Sequence, residues 1–273
     1  MHTGGGTDGT GVGATVGVAT ALDELKSRGS ALLVVGSVPE EVYARVSGCM
    51  LGDSSENRRR VVVEGGESSE VRFADVDRWT PEWTRVFRWD ADPRRSAAAE
   101  SRGNGPESGR AVGPDTSPNG PGIGRTNDGG SAPAPGSGRI DGYADAAVTV
   151  DGPAAKLGVE VGTAISELSE FAGGLGPAEL RVAFDCTTSL LSAYDEPTAF
   201  RFLHVLANNV RRVDGMGHVR LPKPLDDETT RLLAPLFDAV VELRLDGTEP
   251  QQRWHFRDAD VTSEWLPVDE PPA

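Results

Sequence analysis

An α/β fold, with a mainly parallel sheet flanked by helices and extended by antiparallel strands at its C-terminal end, is predicted by three observations. Two short runs, Ala31–Gly36 (ALLVVG) and Leu180–Asp185 (LRVAFD), are apolar almost throughout, the pattern of strands buried on both faces. Strand-like runs alternate with segments that carry apolar residues at helical spacing over most of the chain. Near the end, Asp246-Gly247 separates two strand-like runs, a short-range hairpin signal.

Taken in order, residues 1–19 are rich in Gly and Thr and lack a periodic apolar pattern, so a flexible leader is expected there. The first part of the domain, residues 20–90, holds the Ala31–Gly36 strand and then a helix from Pro39, at its first position, to Leu51. Arg60–Glu64 and Glu70–Ala74 are further strand candidates. Trp79, Trp83 and Phe87 stand at i, i+4, i+8, a helical face suited to core packing, with a partner surface as the other reading. Residues 91–138 are built mainly from Gly, Pro, Ser, Asn, Arg and Ala with no aromatic, and cannot bury enough apolar surface to offset the entropy of ordering; a disordered insert is expected. The second part, 139–268, resumes with a strand at Ala146–Val150. A helix over Pro153–Ala172 follows, with a stripe of Leu157, Val161, Ile165, Leu168 and Phe171, stopped by Gly173-Gly174. Asp195-Glu196-Pro197 opens a helix striped by Ala199, Leu203, Leu206, Val210 and Val213. Gly217–Leu221 reads as a strand, Asp226–Leu233 as a short helix capped by Asp226, and Ala239–Leu245 with Gln252–Arg257 as the terminal hairpin. Residues 269–273 form a tail.

Composition narrows the function. The chain has 273 residues, enough for a sizeable core, and carries 42 acidic against 27 basic residues, a formal charge of −15. Phosphate neutralisation needs clustered Lys and Arg, so a nucleic-acid partner is disfavoured. Only Lys26, Lys156 and Lys223 are lysines. A dispersed acid excess with so few lysines suits a cytosol at molar salt, where the Debye length shrinks to about 3 Å and self-repulsion costs little. No apolar run is long enough to cross a bilayer, and no signal-peptide pattern opens the chain, so a cytoplasmic protein without a membrane partner is expected. Cys49 and Cys186 make neither a disulfide framework nor a zinc site and are expected as small buried hydrophobes.

Asp185 stands at the carboxyl end of an apolar strand, where open α/β sheets place ligand groups and where P-loop ATPases hold Mg²⁺. The plainer reading is a cap on the Cys186-Thr187-Thr188-Ser189 turn. A phosphate loop needs glycines, a Lys and a Ser/Thr after the first strand. Gly36-Ser37-Val38-Pro39-Glu40-Glu41-Val42 supplies none of that chemistry: Pro39 lacks an N–H, and the two glutamates favour the helix start but repel a triphosphate. Gly9–Ala14 has spaced glycines without a preceding strand and belongs to the expected leader. His204, His218 and His255 lack a nucleophile elbow or a ligand set around them, and core or surface roles are expected.

The segments LRVAFDCTTSLL (180–191), FRFLHVLANNVRRV (200–213), Gly215-Met216-Gly217-His218 and LLAPLFDAVVE (232–242) together resemble the C-terminal half of RecA/KaiC-like ATPases. With LLVVGSVPEEVYARVSGCMLGD (32–53), they are most similar to a haloarchaeal family of degenerate KaiC-like proteins. The resemblance implies a RecA-type fold with Asp185 at the Walker B position. It does not carry activity over, because the nucleotide-gripping Lys and Ser/Thr are absent. Glu64 and Glu67 lie near the strand of the family's glutamate pair, with different spacing.

The expectation is a non-catalytic pseudo-ATPase that works through an unidentified protein partner, with self-association open, no catalytic residue and no cofactor. The alternative is a weak nucleotide sensor or ATPase with ATP–Mg²⁺ bound at Asp185, Thr187 and Thr188, the metal on Asp185.

Overall fold

A computed structural model describes residues 9–53, 55–65, 70–74, 76–89, 91 and 142–269. The strands are β1 (Ser30–Val35), β2 (Arg59–Glu64), β3 (Thr84–Arg88), β4 (Ala147–Thr149), β5 (Leu180–Phe184), β6 (Met216–Leu221), β7 (Ala239–Asp246), β8 (Glu249–Phe256), β9 (Val261–Thr262) and β10 (Leu266–Pro267). They form one sheet in the order β10-β8-β7-β1-β6-β5-β2-β3-β4, with β9 also on β8. From β7 to β4 every pairing is parallel, and the pairings of β8 are antiparallel. The α/β class and the antiparallel C-terminal extension are as the sequence predicts.

β1, β2 and β5 are buried along their whole length because helices cover both faces. One face carries α4 (Ala154–Ala172), α5 (Thr187–Ala193), α6 (Glu196–Arg211) and α7 (Glu228–Leu233), packed on Leu33, Val61, Val182, Phe184 and Val219. The other carries α1 (Gly9–Arg28) and α2 (Glu40–Leu51) over Leu32, Val34 and Val62. A four-residue helix, α3 (Tyr143–Ala146), precedes β4. α4 buries Leu157, Val161, Ile165 and Leu168 and ends at Gly173, whose left-handed φ of 70° lets its N–H reach Glu170. A fully buried leucine such as Leu157 contributes about 2–3 kcal/mol.

Gly36, at the exit of β1, has φ 123°, and a Cβ there would lie 2.2 Å from the Leu243 carbonyl oxygen. Its N–H is used by the Lys223 carbonyl at 2.8 Å. That glycine serves close strand approach between β1 and β7, not a phosphate cradle.

Several local expectations are corrected. α1 begins at Gly9, so Gly9–Ala14 and the rest of the leader from residue 9 onward are helical, and Val18, Ala21, Leu22 and Leu25 are buried. Glu70–Phe73 is a 3-10 turn, not a strand. Trp79 and Trp83 precede β3 in a loop and Phe87 lies in β3, so the three share no helix; an aromatic cluster of Phe73, Trp79 and Tyr143 replaces it, while Phe87 and Trp89 are buried. Phe171 is 54% exposed and leaves the α4 stripe, and Cys49 is exposed where Cys186 is buried. The short helix is capped by Asp227, which accepts from the Thr229 N–H at 2.8 Å, not by Asp226. Pro39 is the N-cap of α2 and not its first residue. The expected insert at 91–138 lies outside the described residues apart from Ala91, as do residues 1–8 and most of the tail.

Candidate functional site

The carboxyl ends of β1, β6, β5 and β2 meet at one edge of the sheet. There the helix after β1 lies on one face and those after β5 and β6 lie on the other. Open α/β sheets place their ligands at such a reversal. Four elements converge on Asp185. β5 delivers it, continuing the ladder through its N–H to the Val63 carbonyl at 2.9 Å. The first turn of α2 brings Tyr43, the 3-10 turn brings Arg72, and β6 brings Arg220.

Both carboxylate oxygens of Asp185 are engaged inside the protein. The Tyr43 hydroxyl donates to Oδ1 at 2.5 Å, and the Arg72 guanidinium pairs with Oδ2. The side chains of Arg72 and Asp185 are 2% and 9% exposed, so the pair is shielded from solvent. Burial alone would lower the Arg72 pKa, but Asp185 and Tyr43 beside it more than offset this and leave it raised. Burial first, then Asp185, push the Tyr43 phenol well above its usual range. The Tyr43 ring is flanked by two cations, Arg220 at 4.4 Å and Arg72 at 5.2 Å from its centroid. Arg220 also pairs with Glu40, which occupies the start of α2. The helix N-terminus that would meet a phosphate therefore already carries a carboxylate tied to an arginine.

Asp185 does not cap the following residues: Cys186 is the N-cap of α5, and its thiol makes no capping bond but reaches the Trp89 carbonyl at 3.4 Å. Thr187 is buried, and its Oγ1 has no partner among the described residues. Thr188 is exposed, its carbonyl accepting from the Ser192 hydroxyl at 2.8 Å. The fold thus brings Asp185 and Thr187 to the same edge but commits the carboxylate elsewhere. A Mg²⁺ on Asp185 would have to share its oxygens with the Tyr43 hydroxyl and the buried Arg72 cation. Among the described residues no group of three His, Cys, Asp or Glu converges to hold a metal ion.

Glu64, at the end of neighbouring β2, is likewise buried and held. It accepts from the Tyr143 hydroxyl and lies 3.5 Å from Arg88 Nε. Glu67 lies outside the described residues. One turn beyond Tyr43 on α2, the Ser47 hydroxyl meets His218 Nε2 at 2.7 Å. Burial, Arg72 and Arg181 hold the His218 pKa at about 3, so its ring is neutral. His204 is exposed beside Asn208, and His255 sits 3.1 Å from Glu242 across the hairpin.

The family model for the family of unknown function DUF7504 matches residues 29–243. The chain belongs to that family. The matched span runs from just before β1 into β7, and so contains Tyr43, Arg72, Asp185 and Arg220, while β8, β9 and β10 lie beyond it. No curated protein matches the chain. Tyr43, Arg72 and Arg220 are the residues that reading the sequence missed. Arg72 offered one signal, a charge inside the otherwise apolar Val71-Arg72-Phe73. No helix among the described residues is long and apolar enough to cross a membrane.

Proposed function

We propose that this member of DUF7504 is a non-catalytic scaffold of RecA/KaiC-like type, a pseudo-ATPase of a halophile that works in the cytosol as a regulatory or signalling interaction protein. The observation that carries this reading is the state of Asp185. Asp185, the acid at the Walker B-like position, has its oxygens bound by Tyr43 and Arg72 in a shielded pair. Lacking a phosphate loop before α2, and with Glu40 tied to Arg220, that edge offers a triphosphate neither N–H cradle nor free cation among the described residues. A role in protein contact draws support from the apolar groove between α4 and α6, where Val159 and Val205 are exposed beside Phe202. The second reading, a weak nucleotide sensor, draws on Thr187, whose buried hydroxyl oxygen lacks a partner.

Hydrogen exchange with and without ATP–Mg²⁺ in molar KCl separates the two. The scaffold reading predicts unchanged exchange in residues 40–47 and 185–190. Protection of both segments by nucleotide would favour the sensor.

A further inference from the structure

At the opposite, amino-terminal edge of β5, β6 and β1, beneath α1 and α2, lies a cavity of about 370 Å³. Its size falls at the small end of ligand sites. Arg181 of β5 lines it and is only 9% exposed. The neighbouring Arg60, level with it on β2, shows how a buried guanidinium is ordinarily satisfied. Arg60 donates to the carbonyls of Leu51, Gly52, Asp53 and Arg58 and so closes the C-terminal end of α2. Arg181 has no such set. Its Nη1 reaches the thioether of Met216 at 2.9 Å, its Nε has no partner, and no carboxylate among the described residues pairs with it. Burial, with Arg58 next, lowers its pKa to about 10, which leaves it cationic at neutral pH.

A buried, unpaired cation is costly, and an anion entering from solution would relieve it. In a chain of net charge −15, such a position is the reverse of the general surface. The other charges at the cavity define what fits. Arg58 is taken by Glu56 at 2.8 Å and by the Ala178 carbonyl at 2.7 Å. Lys26 of α1 adds a cation, whereas Glu56 itself would repel a multiply charged anion. The remaining wall is mostly apolar, with Leu22, Met50 and Trp254, and also carries Cys49 and the neutral His218. One available buried cation, one flanking cation and a mostly apolar wall match a single negative charge on a compact apolar body.

We propose that this cavity binds a small monocarboxylic acid, its carboxylate on Arg181 and its apolar body against Leu22, Met50 and Trp254.

Benzoate serves as the probe, titrated into the full chain at fixed KCl and followed by tryptophan fluorescence and thermal unfolding, with inorganic phosphate as a second arm. The proposal predicts saturable benzoate binding that raises the unfolding temperature, and a phosphate response at least tenfold weaker. Arg181→Met removes the buried charge while keeping its volume and should fold at least as well. It should weaken benzoate about tenfold or more, and Arg181→Lys should retain part of the binding. Binding unchanged in Arg181→Met, no saturable benzoate response in the wild type, or phosphate binding equal to benzoate would each overturn the proposal.

Discussion

The behaviour of Asp185 turns on Arg72. Each charge is buried and each is the other's counter-ion, so removing one strands the other. Arg72→Met should cost about 3–5 kcal/mol in denaturant unfolding, whereas Arg72→Met combined with Asp185→Leu should recover most of that loss, because the pair as a unit contributes little. A double variant no more stable than Arg72→Met would show that the two residues do not act together. His218 makes a second residue-level prediction. Its folded pKa of about 3 lies below the ordinary 6.5, so between those values the unfolded chain binds the proton and the folded one does not. Stability is therefore complete above about pH 6.5 and is lost as pH falls toward 3, and His218→Gln should flatten that part of the profile. At this scale the sequence shows only half of the site. Asp185 is legible because an acid ending an apolar strand is a local pattern. Tyr43 is not, because it meets Asp185 across 142 positions of chain and looks like any other apolar-face residue of α2.

Elements were more legible than contacts, and their failures have identifiable causes. β1, β5, α4 and α6 follow from apolar runs, from periodicity and, for α6, from the Asp195 cap, which accepts the Thr198 N–H at 3.0 Å. α1 escapes because its N-terminal half is rich in glycine, each costing about 1 kcal/mol in a helix; packing of Leu22 and Leu25 beside the sheet outweighs that propensity. The stretch before β3 misleads in the other direction, since a four-residue spacing of aromatics arises there in a loop wrapped around Phe73 and Tyr143. Two substitutions test the element boundaries. Gly36→Ala places a Cβ against the Leu243 carbonyl at an unfavourable φ and should destabilise by more than about 2 kcal/mol. Asp227→Ala removes the α7 cap and should cost about 1 kcal/mol. Equilibrium unfolding reads both, and equal effects would place the strain at Gly36 in doubt.

For the molecule as a whole, the sequence predicts a parallel sheet with a terminal hairpin but cannot order the strands. The order depends on β5 and β6 inserting between β1 and β2, and no local signal encodes which neighbours a buried strand chooses. Charge acts at the same scale. With a net charge of −15, screening should raise the urea midpoint substantially between about 0.1 M and about 2 M KCl; a flat response would remove the salt-adapted reading. The proposed function requires that the carboxyl edge of this sheet, occupied by Tyr43, Arg72 and Asp185, take no nucleotide. Calorimetric titration of the full chain with ATP–Mg²⁺ in molar KCl, where the acidic fold is screened, tests it most directly. The closed edge predicts no binding heat at millimolar nucleotide. Saturable heat in the wild type that disappears in Asp185→Asn, with the variant's fold intact by circular dichroism, would contradict it.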